Sequence, residues 1–400
     1  MEVETLNLSE KLTRIIDEAV ERKEVPCATV LVVRDGKEAA YAEAGNDIQT
    51  GKPVSRDSIF RLYSQTKPIT AAAAALLMER GVIDLADPVQ KYLPGFANQK
   101  VIMPDKSFAP VRRPATIMDL LGMTAGLSYP GDDPAGRFAA DLFDHNTRAM
   151  INGEGMSTAI FANAIGHLPL AFHPGDAYRY STCADVLGAV LEVADGRPFG
   201  RILREEFFDP LEMTDTSFWV PPEKRDRFVT CARRTPLGLE AWQGYNLCVG
   251  DYSREPLFQS GGAGLVSTLD DFAKFASMLL NGGELNGKRY LSPATVQWLT
   301  KPQVREGLFW DWDSGYNYGK FMRHCVDPGK VPGLACKGEY GWDGWLGTYF
   351  VNIPEIKTTI LLFQNVTDTG TSALTRKVRN VVFAALNCSE ELLDKDQIHI

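Results

Sequence analysis

The chain has 400 residues, of which 44% are hydrophobic and 23% are charged, and its formal net charge is −9 at pH 7. These values are typical of a soluble globular protein, and the length allows two or three domains or a single unit of two lobes. The charge is spread along the chain without a basic patch that interleaves aromatic residues, and no apolar run approaches the roughly 18 residues of a membrane span. Nucleic-acid binding therefore has little support, and a transmembrane helix is excluded.

The cysteines and the first residues bear on the compartment of the protein. Seven cysteines are scattered without a C-x-x-C pair, so neither a zinc site nor a disulfide framework is indicated, and buried reduced thiols are expected. Residues 1–5 are acidic and polar and lack the basic start and apolar core of a signal peptide. The sequence therefore predicts a cytoplasmic protein, or one from which a signal peptide has been removed.

A helix and a hairpin are predicted near the N-terminus. The helix begins near Asn7, and its apolar positions form one stripe. The stripe consists of Leu12, Ile15, Ile16, Ala19 and Val20. Residues 29–33 are β-branched and aliphatic, and Asp35-Gly36 separates them from a second run that ends at residue 44. A two-residue turn between such runs indicates an antiparallel hairpin.

In the C-terminal part a hairpin is predicted first, and a helix follows it. Residues 349–353 and 358–363 flank Pro354-Glu355, which indicates another hairpin. The last predicted helix covers residues 371–387 and carries apolar side chains at helical spacing.

Strands near both ends and helices between them predict an α/β protein of the α+β type. The N- and C-terminal parts, residues 1–84 and 219–400, would build one antiparallel sheet flanked by the terminal helices. Residues 85–218 would form a mainly helical second lobe. The active-site cleft is expected between the lobes, where binding pockets often lie.

An S-x-x-K segment places the hydroxyl of Ser64 one helical turn before the amine of Lys67. Residues three apart on a helix share a face, so Lys67 is placed to take the proton that makes Ser64 a good nucleophile. Pro68 is tolerated only in the first turn of a helix, so a helix begins at or near the motif. Ser64 would then lie at a helix N-terminus, where free N–H groups favour negative charge. An N-capping serine is the structural alternative.

Two further motifs follow, Tyr180-Ser181-Thr182 and Trp342-Asp343-Gly344. With the S-x-x-K segment, they resemble the motifs of the serine β-lactamase and penicillin-binding-protein superfamily, above all its class C-like branch with the family VIII carboxylesterases. Residues 116–127 and 261–272 resemble further signatures of that branch, so the resemblance covers nearly the whole chain. It implies a β-lactamase/transpeptidase-like fold.

The resemblance also implies the roles of individual residues. Ser64 is the expected nucleophile that forms an acyl-enzyme, Lys67 and Tyr180 are the acid–base pair, and the backbone N–H groups of Ser64 and Trp345 form the oxyanion hole. From the residues themselves, burial without a carboxylate partner is expected to lower the pKa of Lys67. A nearby lysine is expected to stabilise a Tyr180 phenolate that acts as a base. A buried tyrosine that anchors a turn is the alternative.

The second and third motifs bear on the substrate. β-Lactamases of this superfamily usually carry K-T-G, whose cation helps hold a carboxylate, whereas here Trp342 replaces the cation and Asp343 adds a negative charge if it faces inward. Thr182 stands where such β-lactamases have asparagine, and a hydroxyl lacks the paired donor and acceptor of an amide. Both departures predict a neutral ester that contacts Thr182, Trp342, Asp343 and Gly344.

Aromatic residues are expected to line the cleft as well. Tyr129 follows one of the family-like signatures, and Trp310 and Trp312 belong to a stretch dense in rings. Such a wall suits an apolar acyl or alcohol group. Packing in the core is the alternative for several of these rings.

The motifs together predict a serine carboxylesterase that acts on small or aromatic esters, with weak β-lactam hydrolysis. An acyltransferase, a β-lactamase or a D-amino-acid peptidase would use the same residues, and in a peptidase Asp343 would pair with a substrate ammonium group. A catalytically silent penicillin-binding or scaffold protein is the non-enzymatic alternative. The chain lacks a G-x-S-x-G elbow, and none of its five histidines lies in a triad or metal motif. No metal or organic cofactor is predicted.

Overall fold

The computed structural model describes residues 7–305, 307–309 and 315–386. Ten α-helices lie within these ranges: α1 (Leu8–Glu21), α2 (Lys67–Glu79), α3 (Ile117–Leu121), α4 (Pro134–Ile151), α5 (Thr158–Gly166), α6 (Cys183–Asp195), α7 (Phe199–Leu203), α8 (Leu269–Leu280), α9 (Pro293–Leu299) and α10 (Ala373–Ala385). The same ranges contain fifteen β-strands: β1 (Cys27–Arg34), β2 (Lys37–Gly45), β3 (Phe60–Arg61), β4 (Lys100–Ile102), β5 (Phe108–Pro110), β6 (Cys231–Thr235), β7 (Gly238–Trp242), β8 (Val266–Ser267), β9 (Glu284–Leu285), β10 (Lys288–Arg289), β11 (Tyr316–Gly319), β12 (Met322–Cys325), β13 (Tyr340–Asp343), β14 (Tyr349–Ile353) and β15 (Thr358–Phe363).

Seven of these strands form one antiparallel sheet in the order β11-β12-β13-β14-β15-β1-β2. The two predicted hairpins are confirmed as β1–β2 and β14–β15. Asp35 and Gly36 form the first turn, and their positive φ angles of 49° and 72° suit a tight two-residue connection. β1 also pairs with β15, where Thr29 lies opposite Phe363, so the two ends of the chain meet inside the sheet.

Helices cover both faces of this sheet, which confirms the predicted fold class. α1 and α10 pack together on one face, where Leu12, Ile16 and Ala19 of the predicted stripe are buried. α8 packs against β15, β14 and β1. Side chains alternate along β15, since Ile360 and Leu362 join the core under α1 and α10, while Leu361 and Phe363 join the core that contains α8.

Helix α2 runs through the interior of the protein. Its residues from 67 to 77 are all buried, and the alanines at 71–75 have no exposed surface. A helix that is apolar on every side is a buried helix, and small side chains let α6, α7 and α9 approach it closely. The start of α2, where the S-x-x-K segment lies, is therefore held between packed elements.

Helices α3 to α7 lie between residues 117 and 203, in the region for which a mainly helical lobe is predicted. This region also contains the short β4–β5 hairpin. The division into residues 1–84 with 219–400 and residues 85–218 stays a prediction. None of the described helices has both the length and the hydropathy that a membrane crossing requires.

A buried ion pair fastens α10 to the segment before β13. Arg379 and Glu339 have side chains that are 6% and 0% exposed, and Nη2 lies 2.7 Å from Oε1. Glu339 also accepts hydrogen bonds from the Tyr316 hydroxyl at 2.7 Å and the Cys336 backbone N–H at 3.1 Å. Removing one partner of a buried pair leaves an uncompensated charge, which is strongly destabilising.

We expect Glu339→Gln to lower the free energy of unfolding by about 3 kcal/mol, because Arg379 keeps its charge in a buried position. Glu284→Gln is the matched control, since Glu284 pairs with Arg289 at the surface. Loss of that exposed pair should cost less than about 1 kcal/mol. Urea unfolding followed by circular dichroism measures both variants, and equal losses would contradict the importance of the buried pair.

Candidate active site

The nucleophile motif lies where a short strand meets α2. β3 ends at Arg61, Tyr63–Thr66 form a 3-10 helical turn, and α2 begins at Lys67. Pro68 lies in the first turn of α2, which confirms the prediction that a helix begins at the motif. Tyr63 has a φ of +44°, a left-handed conformation that is strained for a bulky residue. The backbone is therefore strained at the residue immediately before Ser64.

Lys67 is placed to take a proton from Ser64. Its Nζ lies 3.1 Å from Ser64 Oγ and donates a hydrogen bond to the backbone carbonyl of Gly262 at 2.7 Å. The side chain is fully buried, and in the described part of the chain no carboxylate forms an ion pair with the amine. Burial lowers the pKa of Lys67 to about 7, as predicted in direction, while the negative charge of Asp185 acts the other way. Near neutral pH, much of the amine is unprotonated and able to act as a base.

Tyr180 lies over the same pair of residues. Lys67 Nζ is 4.6 Å from the centroid of its ring, and the Tyr180 hydroxyl makes a hydrogen bond with Ser64 and accepts one from Trp342 Nε1 at 3.2 Å. Burial raises the pKa of Tyr180 above its usual value. The raised pKa favours the protonated hydroxyl over the predicted phenolate. The assignment of Tyr180 to the acid–base pair stays a prediction.

The third motif packs directly against the nucleophile turn. A Cβ on Gly344 would lie 2.3 Å from the Leu62 carbonyl oxygen and 2.4 Å from Thr348 Oγ1, so only glycine fits. This contact brings the backbone of Trp345 next to the turn that carries Ser64. No acceptor in the described ranges takes the Trp345 N–H. The assignment of the Ser64 and Trp345 N–H groups to an oxyanion hole stays a prediction.

The side chains of the third motif have partners within the protein. Trp342 is mostly buried, and its indole N–H binds Tyr180. Asp343 accepts hydrogen bonds from Arg323 Nη2 at 2.6 Å and from Thr371 Oγ1 at 2.9 Å. Arg323 offsets the negative charge of the motif, so a pairing of Asp343 with a substrate ammonium group loses its main support. Direct contacts of Trp342, Asp343 and Gly344 with substrate stay predictions.

A row of aromatic rings extends on both sides of Tyr180. The centroid distances are 5.8 Å for Tyr129–Tyr180, 5.6 Å for Tyr180–Trp342, 5.1 Å for Trp342–Tyr318 and 5.6 Å for Tyr318–Phe309. Tyr318 has no exposed surface, so part of this row is core packing. Trp310 and Trp312, which are expected to line the cleft, lie outside the described residues.

Asp185 belongs to the site although no sequence motif identifies it. It lies in the first turn of α6, is 3% exposed, and its Oδ1 accepts hydrogen bonds from Ser260 Oγ and from the Gly262 N–H at 3.0 Å. Because the Gly262 carbonyl accepts from Lys67, this one residue connects the carboxylate to the amine. In the sequence, Asp185 could have been noticed as an aspartate within an otherwise apolar helical run.

The start of α6 also contains Thr182 of the second motif. Thr182 occupies the N-cap position, is fully buried, and its hydroxyl has no hydrogen-bond partner among the described residues. Its predicted contact with substrate stays a prediction.

The histidines of the described residues take no part in this arrangement. His324 is buried, its Nε2 lies 3.1 Å from the Gly319 carbonyl oxygen, and burial lowers its pKa to about 4. His173 Nδ1 accepts a hydrogen bond from the Arg112 backbone N–H at 3.3 Å. Within the ranges that the structure describes, no three His, Cys, Asp or Glu side chains are grouped so as to hold a metal ion.

We expect activity to fall as the pH drops through about 7, because a protonated Lys67 accepts no proton from Ser64. Asp185 raises the pKa of Lys67, so Asp185→Asn should move this acid limb to lower pH while keeping an oxygen for Gly262. The measurement is kcat/KM for an activated ester as a function of pH. Asp271→Asn, a buried carboxylate on α8, is the control and should leave the limb in place. An unchanged limb in Asp185→Asn would contradict this coupling.

Comparisons with known proteins identify the family of the chain. The family model described as Beta-lactamase matches residues 12–384. Protein Rv1367c of Mycobacterium tuberculosis is 31% identical over 361 residues, which cover 86% of this chain and 86% of that protein. Esterase EstB of Burkholderia gladioli is 28% identical over 404 residues, which cover 96% of this chain and 97% of that protein.

A solved structure agrees with this match at the level of the fold. EstCE1, described as a hydrolase with promiscuous acyltransferase activity, has a TM-score of 0.80 at 23% identity and covers 94% of this chain and 98% of that chain. The family match spans nearly all the described residues and includes Ser64, Lys67 and Tyr180. The chain therefore belongs to the Beta-lactamase family, within the serine β-lactamase and penicillin-binding-protein superfamily, and is a serine hydrolase of the β-lactamase fold.

Proposed function

We propose that the protein is a carboxylesterase that hydrolyses small or aromatic esters through an acyl-enzyme on Ser64. The observation that carries this proposal is the 3.1 Å distance between Ser64 Oγ and the buried amine of Lys67, whose pKa is about 7. A base with that pKa is well matched to proton transfer at neutral pH. Among the relatives, EstB is named an esterase, which supports esters as the substrate class.

The proposed reaction has two steps, the formation and the hydrolysis of the acyl-enzyme. In the first, Lys67 accepts the Ser64 proton while Oγ attacks the ester carbonyl carbon, and the N–H groups of Ser64 and Trp345 stabilise the negative oxygen. Tyr180 relays the proton to the departing alkoxide, the bond to the alcohol oxygen breaks, and the alcohol leaves. In the second step, water gives a proton to Lys67 and attacks the acyl carbon. The free acid leaves, and the returned proton restores the Ser64 hydroxyl.

The third motif supports a neutral ester over a β-lactam or a peptide. Enzymes with K-T-G use its cation to hold a carboxylate, and here an indole ring occupies that position. Asp343, next to Trp342, would repel a carboxylate. The pairing of Asp343 with Arg323 weakens that repulsion, but it places no cation at the position of Trp342. Hydrolysis of β-lactams should therefore be weak, although the Ser64, Lys67 and Tyr180 machinery would serve it.

Initial rates on 4-nitrophenyl butyrate and on a chromogenic cephalosporin test the proposal. We expect the ester to be cleaved faster, and Ser64→Ala to lower both rates by a factor of about 10³ or more, because the nucleophile is lost. Ser277→Ala, a serine of α8 outside the site, is the matched control. Cephalosporin turnover equal to or faster than ester cleavage would overturn the substrate class. Failure of a phosphonate to label Ser64 in the folded protein would favour the silent scaffold.

Acyl transfer to an alcohol is a second candidate function. The ring row beside Tyr180 would hold an apolar alcohol where it competes with water for the acyl-enzyme. The description of EstCE1 as a hydrolase with promiscuous acyltransferase activity points in the same direction.

We expect benzyl alcohol, added to the butyrate assay, to yield benzyl butyrate in proportion to its concentration. Phe309→Leu should lower the ratio of transfer to hydrolysis, because it shortens the ring row, whereas Phe138→Leu on α4 should leave the ratio unchanged. Gas chromatography of ester and acid gives the ratio. Butyric acid as the only product at every alcohol concentration would eliminate the transferase.

A further inference from the structure

A cavity of about 280 Å³ lies beside the nucleophile turn, and its lining includes Arg61, Tyr63, Phe228, Trp242 and Gln243. Arg61 ends β3, and Tyr63 directly precedes Ser64. The strand and turn that position the nucleophile therefore also form one wall of this cavity. It is not lined by the residues of the acid–base pair or of the third motif.

Arg61 brings a positive charge to the cavity. Its Nη1 donates to the Val229 carbonyl at 2.7 Å, and its guanidinium carbon lies 4.0 Å from the ring centroid of Phe228 and 5.3 Å from that of Tyr252. The side chain is partly buried, yet no carboxylate in the described part of the chain pairs with it. Burying a cation without a counter-ion is costly, and aromatic faces offset only part of that cost. The chemistry of the cavity therefore favours an anion.

Tyr63 lines the same cavity, but its hydroxyl is enclosed by the protein. Its side chain is 1% exposed, and its hydroxyl has no hydrogen-bond partner among the described residues. Burial raises the pKa of Tyr63 well above its usual value, so the hydroxyl keeps its proton at neutral pH. Tyr63 therefore contributes an uncharged wall to the cavity and no hydrogen bond to a ligand.

The surrounding rings place the cavity on one side of the nucleophile. The ring of Trp345 lies 5.0 Å from that of Tyr63 and 5.4 Å from that of Trp242. The cavity is therefore next to Trp345, whose N–H is a predicted oxyanion donor. Asp47 does not line this cavity, and its carboxylate accepts hydrogen bonds from the backbone N–H groups of Thr50 at 2.8 Å and Thr230 at 2.6 Å.

We propose that this cavity binds a carboxylate, with the guanidinium of Arg61 as its partner. Guanidinium groups bind carboxylates through two parallel hydrogen bonds, and the rings of Phe228 and Trp242 would cover the apolar part of the ligand. The carboxylate belongs to the acyl part of the substrate, so the favoured esters are half-esters of short or aromatic dicarboxylic acids. The assignment to the substrate rests on the proposed esterase function, whereas the carboxylate site itself does not.

Two glutarate esters that differ by one charge test the assignment to the substrate. We expect wild type to cleave 4-nitrophenyl hydrogen glutarate with a kcat/KM about tenfold or more above that for 4-nitrophenyl methyl glutarate, and Arg61→Gln to abolish this preference. Arg225→Gln is the matched control, because Arg225 also donates to backbone carbonyls but does not line the cavity. The preference is a ratio within one preparation, so partial loss of folded protein does not change it.

Titration with benzoate, followed by tryptophan fluorescence, tests the site without ester chemistry. We expect saturable binding of benzoate to wild type. The affinity for benzoate should be about tenfold or more lower in Arg61→Gln, and the affinity of wild type for uncharged benzamide should be lower by a similar factor. Competition of benzoate with the neutral ester would support a substrate carboxylate. Binding without competition, together with equal rates on the two glutarate esters, would assign the site to a free carboxylate and overturn its place in the substrate. Absence of saturable benzoate binding would overturn the site, and this result is independent of whether either ester is cleaved.

Discussion

The burial of one amine is the constraint on which the rest of this structure depends. A lysine acts as a base near neutral pH only when its charged form is disfavoured, and here the surrounding protein removes the amine of Lys67 from water. To bury this amine, α2 must enter the core, which its run of alanines permits. The amine also needs a hydrogen-bond partner that carries no full charge. The Gly262 carbonyl meets this need at 2.7 Å, because it satisfies the amine without fixing a proton on it.

The charges near Ser64 are arranged around that neutral amine. Asp343 is held by Arg323 and Thr371, and Asp185 is held by two hydrogen-bond donors, so neither carboxylate forms an ion pair with Lys67. A carboxylate in direct contact would keep the amine protonated and abolish its basicity. Arg61 differs from these groups, since its guanidinium lies against the rings of Phe228 and Tyr252 and forms no ion pair within the described residues. This difference is the basis for proposing a ligand carboxylate at Arg61.

Features that depend on neighbouring residues were predictable from the sequence, and features that depend on distant pairings were not. The Asp35-Gly36 turn and the spacing of Ser64 and Lys67 are local, so the hairpin and the start of α2 follow from propensity and sterics. The Asp185–Gly262 contact joins residues 77 positions apart, and only the packing of α6 against the core brings them together. The raised pKa of Tyr180 has a related origin, because proximity to a lysine is visible in a motif, while the burial that raises this pKa is a property of the assembled protein.

The pairing of β1 with β15 has a consequence for the synthesis of the protein. β1 and the nucleophile turn leave the ribosome long before β15, the strand that must lie beside β1. The loop that closes on the Leu62 carbonyl is equally late, since Thr348 is 286 positions further along the chain. Contacts of this range are slow to form and leave strand edges and apolar surface exposed while the chain grows. The helices of the middle region can fold first, whereas the active site is complete only after the third motif and β15 have been made.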